Sequence, residues 1–188
     1  MKSKKENTHT ALLRAALALF AAQGFDGTST ALIAKQAGVA SGTLFFHFAT
    51  KEELINQLFE EIKLKIENVL LENYQPSQPV HERFIQGFSA LLRYFLVNPQ
   101  HLQFMEQYHF SPLSTCALND NYNNHVLKNI LHEARETSAV KDIPVQVLHA
   151  LAFGPIVSLA KEHATRGCTV DEAMIHATIT ACWDGMKT

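Results

Sequence analysis

Between an apolar run ending near Gln36 and another beginning at Leu44 stands the pentapeptide Ala37-Gly38-Val39-Ala40-Ser41. A glycine after a helical run is a C′ residue, and a serine three positions on can cap a new helix. The chain is therefore constrained to two short helices joined by a tight turn, with Val39 placed to plug the angle between them. Soon after comes Thr50-Lys51-Glu52-Glu53. This is a capping box, in which the threonine caps and the glutamate reaches back from N3. It opens a long helix whose Ile55, Phe59, Ile62, Ile66 and Val69 follow helical spacing.

The rest of the chain continues in helical punctuation, and strand alternation is absent. A first helix is expected over Thr10–Gln23, capped by Thr8 or Thr10 and ended by Gly24. A second starts after Thr28 or Ser29, and a third runs from a Ser41 cap to His47. The segment 75–79, Gln-Pro-Ser-Gln-Pro, is the clearest break. Beyond it Phe84, Phe88, Leu91 and Phe95 form one stripe. Asn98-Pro99, Ser111-Pro112 and Pro144 mark further helix starts. Thr169 and Glu172 read as a second capping box, and Gly154-Pro155 as a kink. The expected fold is all-α, with nine helices. A three-helix helix-turn-helix domain over 1–50 precedes a six-helix ligand-binding and dimerisation bundle over 51–188.

The third helix is the element that would enter the major groove of DNA. Leu44 and Phe48, four apart, can face inward. Ser41, Gly42, Thr43, Phe46 and His47 are then left outside, where double-stranded DNA is a fitting cover for an exposed aromatic. Charge points the same way. The whole chain carries −2, but residues 1–51 hold six basic and two acidic groups, and the remainder holds ten basic and sixteen acidic. A basic first part on an acidic body suits a polyanion partner for that part alone. Lys2, Lys4 and Lys5 are either a solvated tail or an arm on phosphate.

The run "IAKQAGVASGTLFFHFATKEEL", within a match over about residues 10–59, resembles the DNA-binding segment of the TetR family of bacterial regulators. The resemblance implies that Thr30, at the start of the second helix, contacts phosphate. It places Ser41, Gly42 and Thr43 at the bases, with Phe46 and His47 as the outward aromatic and its neighbour. It puts Lys51 on phosphate, where a helix amino end adds backbone donors. Two departures stand out. Phe45 replaces the family's usual tyrosine, whose hydroxyl often bonds a phosphate. Ala31 sits where some members place a base-reading arginine, and no arginine lies in the second or third helix. Lys35 is the only cationic alternative there.

One short recognition helix covers few base pairs, so a homodimer on a palindromic site is expected. The last two helices are rich in small residues. Val147, Leu151, Ile156 and Leu159 mark one stripe, and Ile175, Ile179, Trp183 and Met186 another. These are the expected pairing surface, with internal core as the competing reading of each stripe. The resemblance implies a ligand pocket in the middle of the chain, where aromatic residues accumulate. Phe84, Phe88, Phe95, Phe104, Tyr108 and Tyr122 are the candidate lining for a small apolar or aromatic effector.

No cofactor or metal is expected. Ten histidines include no zinc-like pair on one helix turn, and Cys116, Cys168 and Cys182 lack metal-ligand spacing. The cysteines read as free thiols in a cytoplasmic protein. No apolar stretch reaches the roughly 18 residues that span a membrane. The reading is a ligand-responsive transcriptional repressor and not an enzyme. A DNA-binding regulator without a small-molecule effector is the alternative within the class. A small helical enzyme is the alternative outside it, though no catalytic constellation stands out.

Overall fold

In the computed structural model, residues 2–114 and 125–188 are described, of which 2–7 and 125 by their backbone alone. Nine helices lie among them: α1 (Lys2–Gly27), α2 (Thr30–Gln36), α3 (Ser41–His47), α4 (Lys51–Glu72), α5 (Val80–Val97), α6 (Pro99–His109), α7 (His125–Glu136), α8 (Val145–Arg166) and α9 (Glu172–Met186). None is long and apolar enough to cross a membrane. The helices divide between two compact units, Met1–Ile62 with Gln100–Thr115, and Lys63–Pro99 with Cys116–Thr188. The expected boundary stood at residue 50. The first of these compact units runs through Ile62 and takes in most of α6, whose aromatic face is buried there.

In the first unit, α1 starts at Lys2 and not at a Thr8 or Thr10 cap. It bends at Gly24, whose φ of 79° and ψ of 171° only glycine adopts readily. Beyond the bend a last turn carries Phe25, whose ring stands edge-on to Phe20 at 5.1 Å and to Phe104 of α6 at 5.3 Å. Gln107 Nε2 donates to the Phe20 carbonyl at 2.8 Å. Tyr108 stacks on Phe59 at 3.9 Å, and its hydroxyl donates to Asn56 Oδ1 at 3.0 Å. Thus α6 is fastened to both α1 and the first half of α4.

The second unit is built around α5, which packs on α7, α8 and α9. Its Phe84, Phe88, Leu91 and Phe95 are all buried, as their spacing requires. Phe84 stacks on Phe88 at 4.2 Å and meets Trp183 of α9 at 5.2 Å. Arg83 is buried beside them and donates to Glu133 of α7 and to the Tyr74 hydroxyl. Ile175, Ile179, Trp183 and Met186 are likewise buried within this unit. The α9 stripe expected at a dimer contact is therefore core of its own chain, because Trp183 closes over Phe84.

Three start signals resolve differently from expectation. Ala40, not Ser41, is the N-cap of α3, with no side-chain hydrogen bond. Asp171, not Thr169, caps α9 by accepting from Met174 N at 2.8 Å, and Glu172 is held by Arg93 instead. Ser111-Pro112 opens a turn in which Ser111 Oγ donates to the Tyr108 carbonyl. Helix α8 runs on through Gly154-Pro155.

Candidate nucleic-acid interface

The turn between α2 and α3 is held by its backbone. Gly38, at φ 72°, lets its own N–H reach the Lys35 carbonyl and the Val39 N–H reach the Ala34 carbonyl, at 3.1 and 3.0 Å. That pair of bonds is a Schellman motif, which satisfies the last carbonyls of α2 and redirects the chain. The start of α2 is equally defined: Ser29 Oγ accepts from Leu32 N at 3.2 Å. Ile33 and Ala34 of α2, with Leu44 of α3 and Phe48 just after it, are buried and seat α3. The capping box at α4 forms with one change. Thr50 Oγ1 accepts from Glu53 N at 3.1 Å, and Glu53 Oε2 accepts from Ala49 N at 2.7 Å, one residue before the cap.

This frame leaves one side of α3 open. Ser41 and Gly42 are exposed, and Thr43 is half-buried. Phe46 is 71% exposed and Phe45 51%. His47 is half-buried, its ring 5.7 Å from that of His9 in α1. His9 Nε2 also donates to Gln57 Oε1 of α4 at 3.2 Å, in the tautomer that carries the proton on Nε2. The ring contact with His9 is one that helix spacing within α3 could not reveal. Thr30 is half-buried at the first position of α2, and Ala31 and Lys35 are exposed. Thr30, Ser41, Gly42, Thr43, Phe46, His47 and Lys51 all lie in the first compact unit. Lys51 is half-buried, and its Nζ donates to the Phe25 carbonyl at the end of α1. That carbonyl was not foreseen as its partner, because Phe25 lies 26 residues away and beyond the bend at Gly24.

Five of the six aromatic residues expected around a ligand are among the described residues. Phe84, Phe88 and Phe95 are in the core of the second unit, and Phe104 and Tyr108 in the core of the first. Tyr122 lies outside the described residues, as does Cys116. A surface cleft of about 650 Å³ in the second unit is lined by polar side chains that include His132, Arg135, Glu136 and Asp142, and by none of the five described aromatics among those six.

Two short helices meeting at a Schellman turn, the second presenting an exposed face from a buried seat, form a helix-turn-helix, the motif by which DNA-binding transcriptional regulators reach the major groove. Residues 12–58 match the bacterial regulatory proteins of the tetR family, and residues 79–187 match the tetracyclin repressor-like C-terminal domain. The chain belongs to the TetR family. It is 21% identical over 187 residues to an uncharacterized HTH-type transcriptional regulator of Haemophilus influenzae, covering 100% of both chains. Its fold is that of a TetR family transcription regulator from Marinobacter aquaeolei, with 22% identity, coverage of 100% and 99%, and a TM-score of 0.89. It is also that of FadR from Bacillus subtilis, solved with stearoyl-CoA, with 21% identity, coverage of 94% and 98%, and a TM-score of 0.73.

Proposed function

We propose that the chain is a cytoplasmic repressor that binds a palindromic operator as a homodimer and is released by a small apolar or aromatic effector. The observation that carries the DNA contact is the open face of α3 above its buried Leu44 and Phe48 seat. On that face Ser41, Gly42 and Thr43 meet the bases, flanked by Phe46 and His47, while Thr30 and Lys51 meet phosphates. Dimerisation is supported by two rows of small exposed residues, Ala150, Gly154 and Ser158 on α8, and Ala177, Ala181 and Gly185 on α9. Each row has four-residue spacing, so a second copy could approach the helix backbones closely. For the effector, FadR's complex with stearoyl-CoA supports an apolar acyl group as one class to try. Its place is proposed around Phe84, Phe88 and Phe95, in a core that an entering molecule has to open.

Sedimentation of the chain with a selected duplex tests the assembly; two chains per operator are expected, and one chain per operator sinks the dimer. Addition of acyl-CoA thioesters and aromatic compounds tests release. To turn 99:1 occupancy into 1:99, the effector must favour the released form about 10⁴-fold. Operator binding that no compound changes would point instead to control by a protein partner.

A further inference from the structure

Helix α3, Ser41-Gly42-Thr43-Leu44-Phe45-Phe46-His47, contains no arginine, lysine, asparagine or glutamine. Those are the side chains that identify guanine or adenine through paired hydrogen bonds in the major groove. The polar side chains of α3 are those of Ser41, Thr43 and His47, the first exposed and the other two half-buried. A hydroxyl suits several bases, and the His47 ring lies against His9 and Phe48 at 5.7 and 6.3 Å. The largest open surface on the helix is apolar: Phe46 is 71% exposed. Only thymine presents a methyl group in the major groove, so an apolar reader there distinguishes thymine from the other three bases.

The placement of Phe46 suits that task. The Phe46 ring stands edge-on to His47 at 5.7 Å, and since side chains on a helix lean toward its N-terminus it can swing over the turn that holds residue 42. Residue 42 is glycine, and even a Cβ there would meet nothing within 4 Å. The ring therefore has a clear path toward the part of α3 that approaches base edges in a helix-turn-helix. We infer that Phe46 is a specificity-determining residue that recognises thymine in each half-site by packing its ring on the 5-methyl group. This rests on α3 being the DNA-reading helix.

The test begins by selecting duplexes from a random-sequence library with the full chain. Each thymine of the recovered half-site is then replaced by uracil, which removes the methyl and keeps every base-pair hydrogen bond. At one thymine per half-site the affinity is expected to fall about fourfold, equivalent to the ~0.8 kcal/mol of one buried methyl-sized group. With Phe46→Ala the thymine and uracil duplexes should bind alike, whereas Phe46→Leu should retain part of the preference. Melting by circular dichroism confirms that both variants are folded. A wild-type chain indifferent to uracil at every position overturns the inference. So does a uracil penalty that persists undiminished in Phe46→Ala, or a selected half-site without thymine. Recovery of no DNA at all would remove the DNA-reading premise together with the inference, while a uracil-tolerant operator removes the inference alone.

Discussion

Lys51 Nζ donates to the backbone carbonyl of Phe25. The first residue of α4 is thereby tied to the last turn of α1, beyond the bend at Gly24. The same carbonyl accepts from Thr28 N at 3.2 Å, so it anchors both the entry to α2 and the start of α4. An ammonium has three donors, and one engaged by Phe25 leaves capacity for a phosphate oxygen. Lys51 thus ties the start of α4 to the end of α1 and keeps donors for the phosphate contact proposed above.

Lys51→Ala should lower the thermal midpoint through the lost Phe25 contact, by the equivalent of about 1 kcal/mol. It should also weaken binding to all DNA sequences similarly and reduce the slope of log affinity against log salt by about 0.9. Anisotropy titrations across a salt series read the slope. An unchanged slope with a lowered midpoint would confine Lys51 to the tie with Phe25.

The two bends of the reading head should differ in their tolerance of a side chain. At Gly38 (φ 72°) an added Cβ meets nothing within 4 Å, so Gly38→Ala bears only the left-handed backbone cost of about 1–2 kcal/mol. Gly24 combines φ 79° with ψ 171°, a region almost restricted to glycine. Gly24→Ala should cost more, up to about 3 kcal/mol. Urea unfolding of the two variants gives the ranking, and equal costs would mean that the bend at Gly24 relaxes.

The reading head was legible because its signals are local. Ser29, Gly38 and the Thr50–Glu53 pair act within a few residues of themselves, and each does so in the structure. Gln107 is different. Its bond to the Phe20 carbonyl spans 87 positions, and helical spacing in α6 cannot say which unit its apolar face will join. Trp183 shows the same limit, since a periodic stripe identifies a buried face but not whether its partner is the same chain or a second copy. The cap of α9 went astray for a third reason: Arg93 draws Glu172 into an ion pair at 2.6 Å, which leaves Asp171 to cap.

Phe45→Tyr restores the hydroxyl that the family often sets on a phosphate. Phe45 is 51% exposed, so the ring can carry a hydroxyl without repacking. Affinity should rise by about 0.5–1.5 kcal/mol, the value of one net hydrogen bond, on operator and unrelated DNA alike. The salt slope should stay the same, because no cation is added. A gain limited to one sequence would place residue 45 at a base.

The ion pair of Arg83 with Glu133 should make the second unit sensitive to acid. The Arg83 hydrogen bond is the main cause that holds the Glu133 carboxyl below its ordinary 4.5. A carboxylate with a lowered folded pKa contributes stability that is present above the unfolded value and is lost as pH falls through the folded one. Wild-type stability should therefore decline below about pH 4.5 more steeply than that of Glu133→Gln. At pH 7 Glu133→Ala leaves buried Arg83 short of its charged partner, at a cost of about 1.5–3 kcal/mol. Urea midpoints across pH measure both, and parallel pH profiles for wild type and Glu133→Gln would rule the pair out as a source of acid sensitivity.

Phe88 separates a structural core from an effector site. It has no exposed surface, stacks on Phe84 at 4.2 Å and meets Phe153 edge-on at 5.1 Å. Phe88→Ala should cost about 3–5 kcal/mol. That is a large share of the ~5–15 kcal/mol available to a folded domain, so a lost response in this variant could be a lost fold. Phe88→Leu keeps the site apolar and nearly filled, at roughly 1–2 kcal/mol. Its fold and effector-free operator affinity should both survive. If it also needs several-fold more acyl-CoA or aromatic compound to release DNA, the ring contacts the effector. A release curve superimposable on wild type, with only the urea midpoint lowered, would make Phe88 core alone and move the proposed effector site elsewhere.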